Sequence, residues 1–361
     1  MAMQLLEKLV TTAAVSGREH RLRKLILAET KTLFDEIRID PMGSIIGLRQ
    51  PAPGKLVKAA DLPKKRKPLR IMLAAHMDQI GFVVRHIDDK GFVRVHNVGG
   101  FDTRNLFARL VTLCPDLDDP SKDFPGVMNP GGKPIHIASP EDTKKIPEIS
   151  DLVIDTGLAP DEVKKRLKIG DMVVIHAPCT QVGSAVVSQC LDNRVAVWIA
   201  IGAMRKLAQT GHTCEVACVF TVQEEVGLRG ALTSAYELKP DIGIGIDTTL
   251  AVDTPGVPDD QRVTIMGGGA ALTLMDGSVI SDLPLIETFE TTALNNKIKV
   301  QRSILPRGGT DTGSLQRAGS GCRAMTLSCP TRYIHTVTEM VHHDDLDACR
   351  DLLAAYLVNP K

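Results

Sequence analysis

Apolar and polar positions follow two regimes along the 361-residue chain. Residues 4–37 predict two helices broken at "AVSG", and "REHRLRKLILAETKTLFDEI" repeats its apolar positions at helical spacing. "SIIGLRQ" and "LRIMLAAH" predict strands on either side of a loop at 50–68. From 83 to 177 the pattern changes. Short runs rich in β-branched residues ("GFVVRHI", "GFVRVHNV", "ARLVTLCP", "PIHIAS", "DMVVIHA") are separated by Gly, Pro and Asp, with one helical piece, "APDEVKKRLK". After 178 apolar strands alternate with amphipathic helices. "RVAVWIAIGAMRKLAQT", "LRGALTSAYEL", "PLIETFETTALNN" and "DDLDACRDLLAAYL" predict helices. "CEVACVFTV", "DIGIGID" and "CRAMTLS" predict strands. Such alternation implies a largely parallel sheet covered on both faces.

The expected architecture is therefore α/β: a three-layer domain with a mostly parallel mixed sheet, interrupted by a small β-rich, barrel-like domain. The expected boundaries are 1–82, 83–177 and 178–361. The chain is long enough for two domains. No internal repeat or low-complexity tract is evident.

Composition narrows the classes. Lys plus Arg and Asp plus Glu number 43 each, which points to neither a nucleic acid nor a membrane as partner. The basic run Lys64 to Lys67 lies in a proline-flanked stretch and reads as a solvated loop. No apolar run reaches spanning length, and the N-terminal residues lack the build of a secretory signal. The eight cysteines show no C-x-x-C spacing. Cys214 and Cys218, in one strand, would lie roughly 13 Å apart, beyond disulfide reach. A reducing cytoplasm is expected. Aromatic residues are scarce, which disfavours a carbohydrate platform or a base-stacking surface.

Candidate chemistry gathers where apolar strands stop. "CEVACVFTV" runs into Glu224 and Glu225, "LRIMLAAH" ends at His76 with Asp78 two residues on, and "DIGIGID" ends at Asp247. Asp192 precedes a helix, and His335 follows "CRAMTLS". Each has an ordinary reading alone: acids suit helix N-termini, Asp is a good N-cap, and a lone His is often structural. Taken together, His76, Asp192, Glu225, Asp247 and His335 all fall at the expected carboxyl end of a strand. In a parallel sheet those ends share one edge, where functional residues collect. Imidazole mixed with carboxylate suits zinc, cobalt or manganese. Five such donors exceed one zinc and fit two metals with a bridging carboxylate. "HHDD" at 342–345 is a second acidic–imidazole cluster, read as a solvated helix start.

With "AAHMDQIGF", "VGGFDTRNLFARLVTL", "LDNR", "QEEVGLRGA", "IDTTLAVDTPG", "RGGTDTG" and "TRYIHT" in this order, the chain resembles the dinuclear metallo-aminopeptidases that assemble into hollow tetrahedral dodecamers. These are also known as deblocking or glutamyl aminopeptidases. The resemblance implies that His76, Asp192 and Asp247 hold one metal. It implies that Asp192, Glu225 and His335 hold the other, with Asp192 bridging. Asp78 would orient His76, and Glu224 would be the general base that takes a proton from the attacking water. Two divalent ions per subunit, zinc or cobalt, are implied. So are short peptide substrates, a homododecamer built from dimers with the β-rich domain used in assembly, and a cis bond between Asp192 and Asn193. Gln79 and Phe101 depart from the family, where Glu and Trp are common, which leaves the pocket open to change. The rival enzyme reading is a deacylase or other hydrolase on the same scaffold. The rival without catalysis is a metal-stabilised scaffold protein, for which Glu224 would be dispensable.

Overall fold

The computed structural model describes residues 2–64, 67–144 and 146–361. Lys65 and Arg66 of the basic run lie outside them.

At the centre of one sheet, Glu215–Thr221, Arg70–His76, Ile242–Leu250 and Arg323–Arg332 lie side by side and parallel. Period-two side chains explain why this sheet is buried twice. Ile71, Leu73 and Ala75 join one apolar cluster, whereas Met72 and Ala74 join another. Val216, Cys218 and Phe220 divide from Ala217 and Val219 in the same way. The first cluster packs against helices Leu191–Thr210, His343–Val358 and Ala2–Thr11. The second packs against Arg229–Leu238 and Asp311–Arg317. Three layers result.

Antiparallel strands extend the sheet both ways. Ile45–Arg49 and Glu36–Ile39 continue it beyond Glu215–Thr221. Glu339–His342, Ala185–Ser188 and Thr180–Val182 follow on the other side. Ala270–Met275 also pairs with Arg323–Arg332 and carries Val300–Ile304. The sheet is thus mixed around a parallel centre.

A second sheet closes on itself as an antiparallel barrel. Its order is Gly81–Ile87, Val93–Val98, Leu152–Asp155, Phe124–Pro130, Arg109–Cys114 and Met172–Ile175. Its interior is a separate apolar cluster that includes Phe82, Val93, Val111, Met128, Ile154 and Val173. Closure leaves no open edge.

Several sequence expectations differ from the structure. The first helical region ends at Thr30, and "FDEI" turns into the strand Glu36–Ile39. "PIHIAS" is irregular rather than a strand. The barrel strand expected there is supplied by Phe124–Pro130, whose glycine and prolines mask its alternation. Asp345 of "HHDD" is fully buried, not solvated, and accepts backbone N–H groups from Gly267 and Gly269 at 2.6 and 2.7 Å. No helix among the described residues is long and apolar enough to cross a membrane.

Candidate metal centre and active site

The site lies at the carboxyl end of the parallel strands. Parallel pairing sets Thr221 opposite His76 and Gly245 opposite Ala74, so Asp247 arrives level with His76. The chain then leaves Glu215–Thr221 through a turn with Gln223 at φ 56°, which delivers Glu224 and Glu225. Tyr333 and His335, at φ 60° and 64°, bend the chain back after Arg323–Arg332.

Two sequence expectations need correction. The strand expected to stop at Asp247 runs on to Leu250, so Asp247 lies within it. Asp192 does not follow a parallel strand. It comes after the antiparallel Ala185–Ser188, at the start of the helix Leu191–Thr210, with non-helical φ −75° and ψ 106°. The Asp192–Asn193 peptide bond is cis.

All five candidate ligands nevertheless converge. His76 Nε2 lies 3.3 Å from Asp192 Oδ1 and 4.0 Å from Asp247 Oδ1. His335 Nε2 lies 3.6 Å from Asp192 Oδ2 and 3.4 Å from Glu225 Oε2. The two oxygens of Asp192 therefore face different imidazoles. Glu224 joins the same cluster, with Oε2 3.8 Å from His76 Nε2. Donor atoms of His76, Asp192 and Glu225, and of His76, Glu224 and Asp247, each fall within 4.8 Å of one another.

A divalent cation fits this donor set. Zinc–ligand bonds of about 2.0–2.1 Å in a tetrahedron put neighbouring donors roughly 3.3–3.4 Å apart. The closest contacts above match that edge. Glu225 Oε1 is buried without a hydrogen-bond partner among the described residues, an arrangement costly to leave uncompensated.

The electrostatics agree. Burial pushes the Glu224 carboxyl well above its usual range; His76 opposes the shift, and the nearby Asp247 and Glu225 charges add to it. Burial likewise raises Asp247 well up, against His76 and with Asp192. Burial would lower His335, but contact with Glu225 and Asp192 pushes it up to about 10. Crowded carboxylates held together in a buried cluster call for positive charge between them.

Asp78 does more than face His76 Nδ1, from which its Oδ1 lies 3.4 Å. Fully buried, it accepts the backbone N–H of Glu224 at 3.0 Å and of Glu225 at 3.2 Å, and the Ser16 hydroxyl at 2.6 Å. It thereby aims both glutamates.

Other side chains support the site, and one of them, Glu339, carries no sequence signal. Glu339 accepts the backbone N–H of Asp192 at 2.9 Å and of His335 at 2.7 Å, tying two candidate ligands together. A lone acid inside "HTVTEMVH" gives no hint of that. Asp311, within "RGGTDTG", accepts from the Thr221 hydroxyl, and burial lifts its pKa to about 6. Gln79 accepts from Ala14 N and from the buried Arg194 guanidinium. Phe101 stacks on Phe82 with centroids 4.6 Å apart. Neither Gln79 nor Phe101 lines the cavity over the site.

That cavity has a volume of about 490 Å³. His76, Asp192, Glu224, Glu225, Asp247 and His335 form its polar floor, and Leu228, Leu250, Leu305 and Ile334 supply apolar wall. Its size suits a small ligand.

An α/β sheet with a carboxylate–imidazole cluster at its carboxyl edge, roofed by a partly apolar cavity, defines a class of hydrolytic metal sites. Comparison with known proteins narrows the class. Residues 58–352 match the M42 glutamyl aminopeptidase family, and the chain belongs to that family. A putative aminopeptidase of Acetivibrio thermocellus is 35% identical over 97% of this chain and 96% of its own length. The structure is similar to an aminopeptidase from the archaeon Desulfurococcus kamchatkensis, with TM-score 0.89 and 33% identity over 99% of this chain and 94% of the other. It is also similar to a Pyrococcus horikoshii TET1 peptidase, described as able to assemble into a tetrahedron or a large octahedral shell. That match has TM-score 0.83 and 28% identity, and covers 99% of each chain. The protein is a peptide hydrolase of the aminopeptidase kind, and its family implies a divalent metal.

Proposed function

We propose that the chain removes N-terminal residues from short peptides with two divalent cations per subunit, zinc or cobalt, and Glu224 as general base. In this reading His76, Asp192 and Asp247 hold one cation. Asp192, Glu225 and His335 hold the other. The observation that carries it is the placing of Asp192. Its Oδ1 faces His76 and its Oδ2 faces His335, as a bridging carboxylate requires.

When bound, the cations polarise the scissile carbonyl and lower the pKa of a water to about 7. The residues of the chain do the rest. Glu224 accepts the proton of the attacking water and returns it to the leaving amine. Asp78 holds Glu224 and Glu225 by their backbone N–H groups, so neither turns away during the transfer. Glu339 fixes Asp192 and His335. Leu228, Leu250, Leu305 and Ile334 offer apolar surface against which the aliphatic parts of a bound peptide pack.

Residues 83–177 act in this reading as an inserted assembly unit, and the subunit joins a closed homododecamer built from dimers. The barrel contributes none of the candidate ligands, and the TET1 peptidase of similar fold can assemble into a tetrahedron or a large octahedral shell. Eight free thiols support a reducing cytoplasm.

The test is exhaustive chelation, checked by elemental analysis, with aminoacyl-anilides as substrates. Activity is expected to vanish and to return with zinc or cobalt. Full activity in protein shown to be metal-free overturns the proposal. N-acyl amino acids run in parallel separate it from a deacylase.

A further inference from the structure

We propose that Arg307 anchors a carboxylate of the bound peptide and so sets which substrates this site prefers. The inference rests on the aminopeptidase reading above and deepens it.

Among the described residues that line the cavity, Arg307 is the one with a permanent positive charge. The floor is acidic and imidazole, and the remaining wall is largely aliphatic or small. Arg307 makes no ion pair or side-chain hydrogen bond with any described residue. Most arginines in this structure behave otherwise. Arg332 grips Asp253, Arg302 grips Glu290 and Arg323 grips Asp282, each with two guanidinium nitrogens.

The backbone that presents Arg307 is pinned on both sides. Leu305 N–H donates to Met275 O at 2.9 Å, and Gly308 O accepts from Gly277 N at 2.8 Å. Thr310 N donates to Ser278 Oγ at 3.2 Å, and the Thr310 hydroxyl donates to Asp276 at 2.9 Å. Gly308 takes φ 95°, a conformation that only glycine adopts without strain. At Gly309 an added Cβ would come within 3.0 Å of Ser278 Cβ, so the two segments approach closely. The loop is therefore fixed, while the guanidinium at its tip is left unpaired.

A free guanidinium beside a cavity is suited to a planar anion, which it binds through two parallel N–H donors. A peptide offers two carboxylates: the side chain of an acidic first residue, and the C-terminus of a di- or tripeptide. The α-amino group belongs with the acidic floor, so the peptide lies with its amine toward the metals and its anion toward Arg307.

The experiment measures kcat and KM with two substrate pairs on the metal-loaded protein and on R307A and R307K. One pair is the anilides of glutamate and glutamine. The other is Leu-Gly and its C-terminal amide. The parent should prefer the carboxylate-bearing member of at least one pair, and the pair that responds identifies the source. R307A should lower kcat/KM for that member by about ten- to a hundred-fold, mostly through KM, the loss expected for a charge-assisted hydrogen bond. Its neutral counterpart should stay within about twofold, and R307K should recover part of the loss. No carboxylate preference in either pair overturns the inference, as does an equal loss on both members. If the parent turns over none of the four, the aminopeptidase reading fails. The compounds are then stable ligands, and calorimetry still reads the anion preference: equal affinity of parent and R307A overturns it, and a selective loss supports it.

Discussion

Glu224 and Glu225 are neighbours in sequence with separate proposed tasks, and the tasks predict different defects. Glu225 Oε2 lies 3.4 Å from His335 Nε2 inside the donor cluster. Glu224 Oε2, 3.8 Å from His76 Nε2, is near enough to the donors for its role to need a direct test. Glutamine keeps the size of either side chain, and Asp78 would still hold both backbones. Glu224→Gln is therefore expected to retain two metals per subunit and to lose about a hundred- to ten-thousand-fold in turnover, the usual cost of removing a general base. Glu225→Gln should lose metal affinity first, because an ionised ligand becomes neutral. Elemental analysis and turnover of both variants decide. If Glu224→Gln sheds metal while Glu225→Gln keeps it, the roles are exchanged.

The strand Arg323–Arg332 must deliver His335 from a chain that turns sharply at Tyr333. A clip at its end supports that turn. Arg332 donates to both oxygens of Asp253, at 2.7 and 2.8 Å, and Asp253 also accepts the N–H of Met266. The Arg332 contact draws the Asp253 pKa below its ordinary value, although partial burial opposes it. A carboxyl with a depressed folded-state pKa adds stability above its unfolded pKa, about 3.9, and that stability is lost as pH falls through the folded value. Asp253→Asn should therefore lower the melting midpoint at pH 7, by about 2–4 °C for each kcal/mol lost. The gap to the parent should close as pH drops below about 4. Melting curves of the two proteins between pH 7 and 3.5 check this. A gap that stays constant with pH would mean the clip works by packing rather than charge.

The layered sheet carries an apolar core on each of its faces, and the barrel carries its own. The barrel's outer surface exposes Leu110 and Val127, and the segment after its Phe124–Pro130 strand exposes Ile135 and Ile137. Self-association through this region is the expected use of such positions. Light scattering of the full chain at micromolar concentration should report a particle of many subunits. Leu110→Asp combined with Val127→Asp should yield smaller species in which single subunits keep their metals. A clean monomer for the parent would refute the assembly proposed for residues 83–177.

Periodicity alone was enough for the α/β class, because a strand buried on both faces is apolar throughout, and "LRIMLAAH" and "CEVACVFTV" show that directly. The abrupt polar residues that end those runs mark His76 and the Glu224–Glu225 pair, since a buried polar or charged side chain needs a partner to offset its lost hydration. Sequence could not reveal that Asp192 reaches the cluster from an antiparallel strand, because long-range pairing leaves no local pattern. It hid the strand Phe124–Pro130 behind Gly126 and two prolines, and it presented Asp345 as solvated. It gave Glu339 no distinction and marked Asp311 only as part of "RGGTDTG", because what each does depends on the partner it meets across the fold. Arg307 is the clearest case. Nothing in "PRGG" separates a paired arginine from a free one. Only the packed neighbours, which leave it without a carboxylate and beside the cavity, make that distinction.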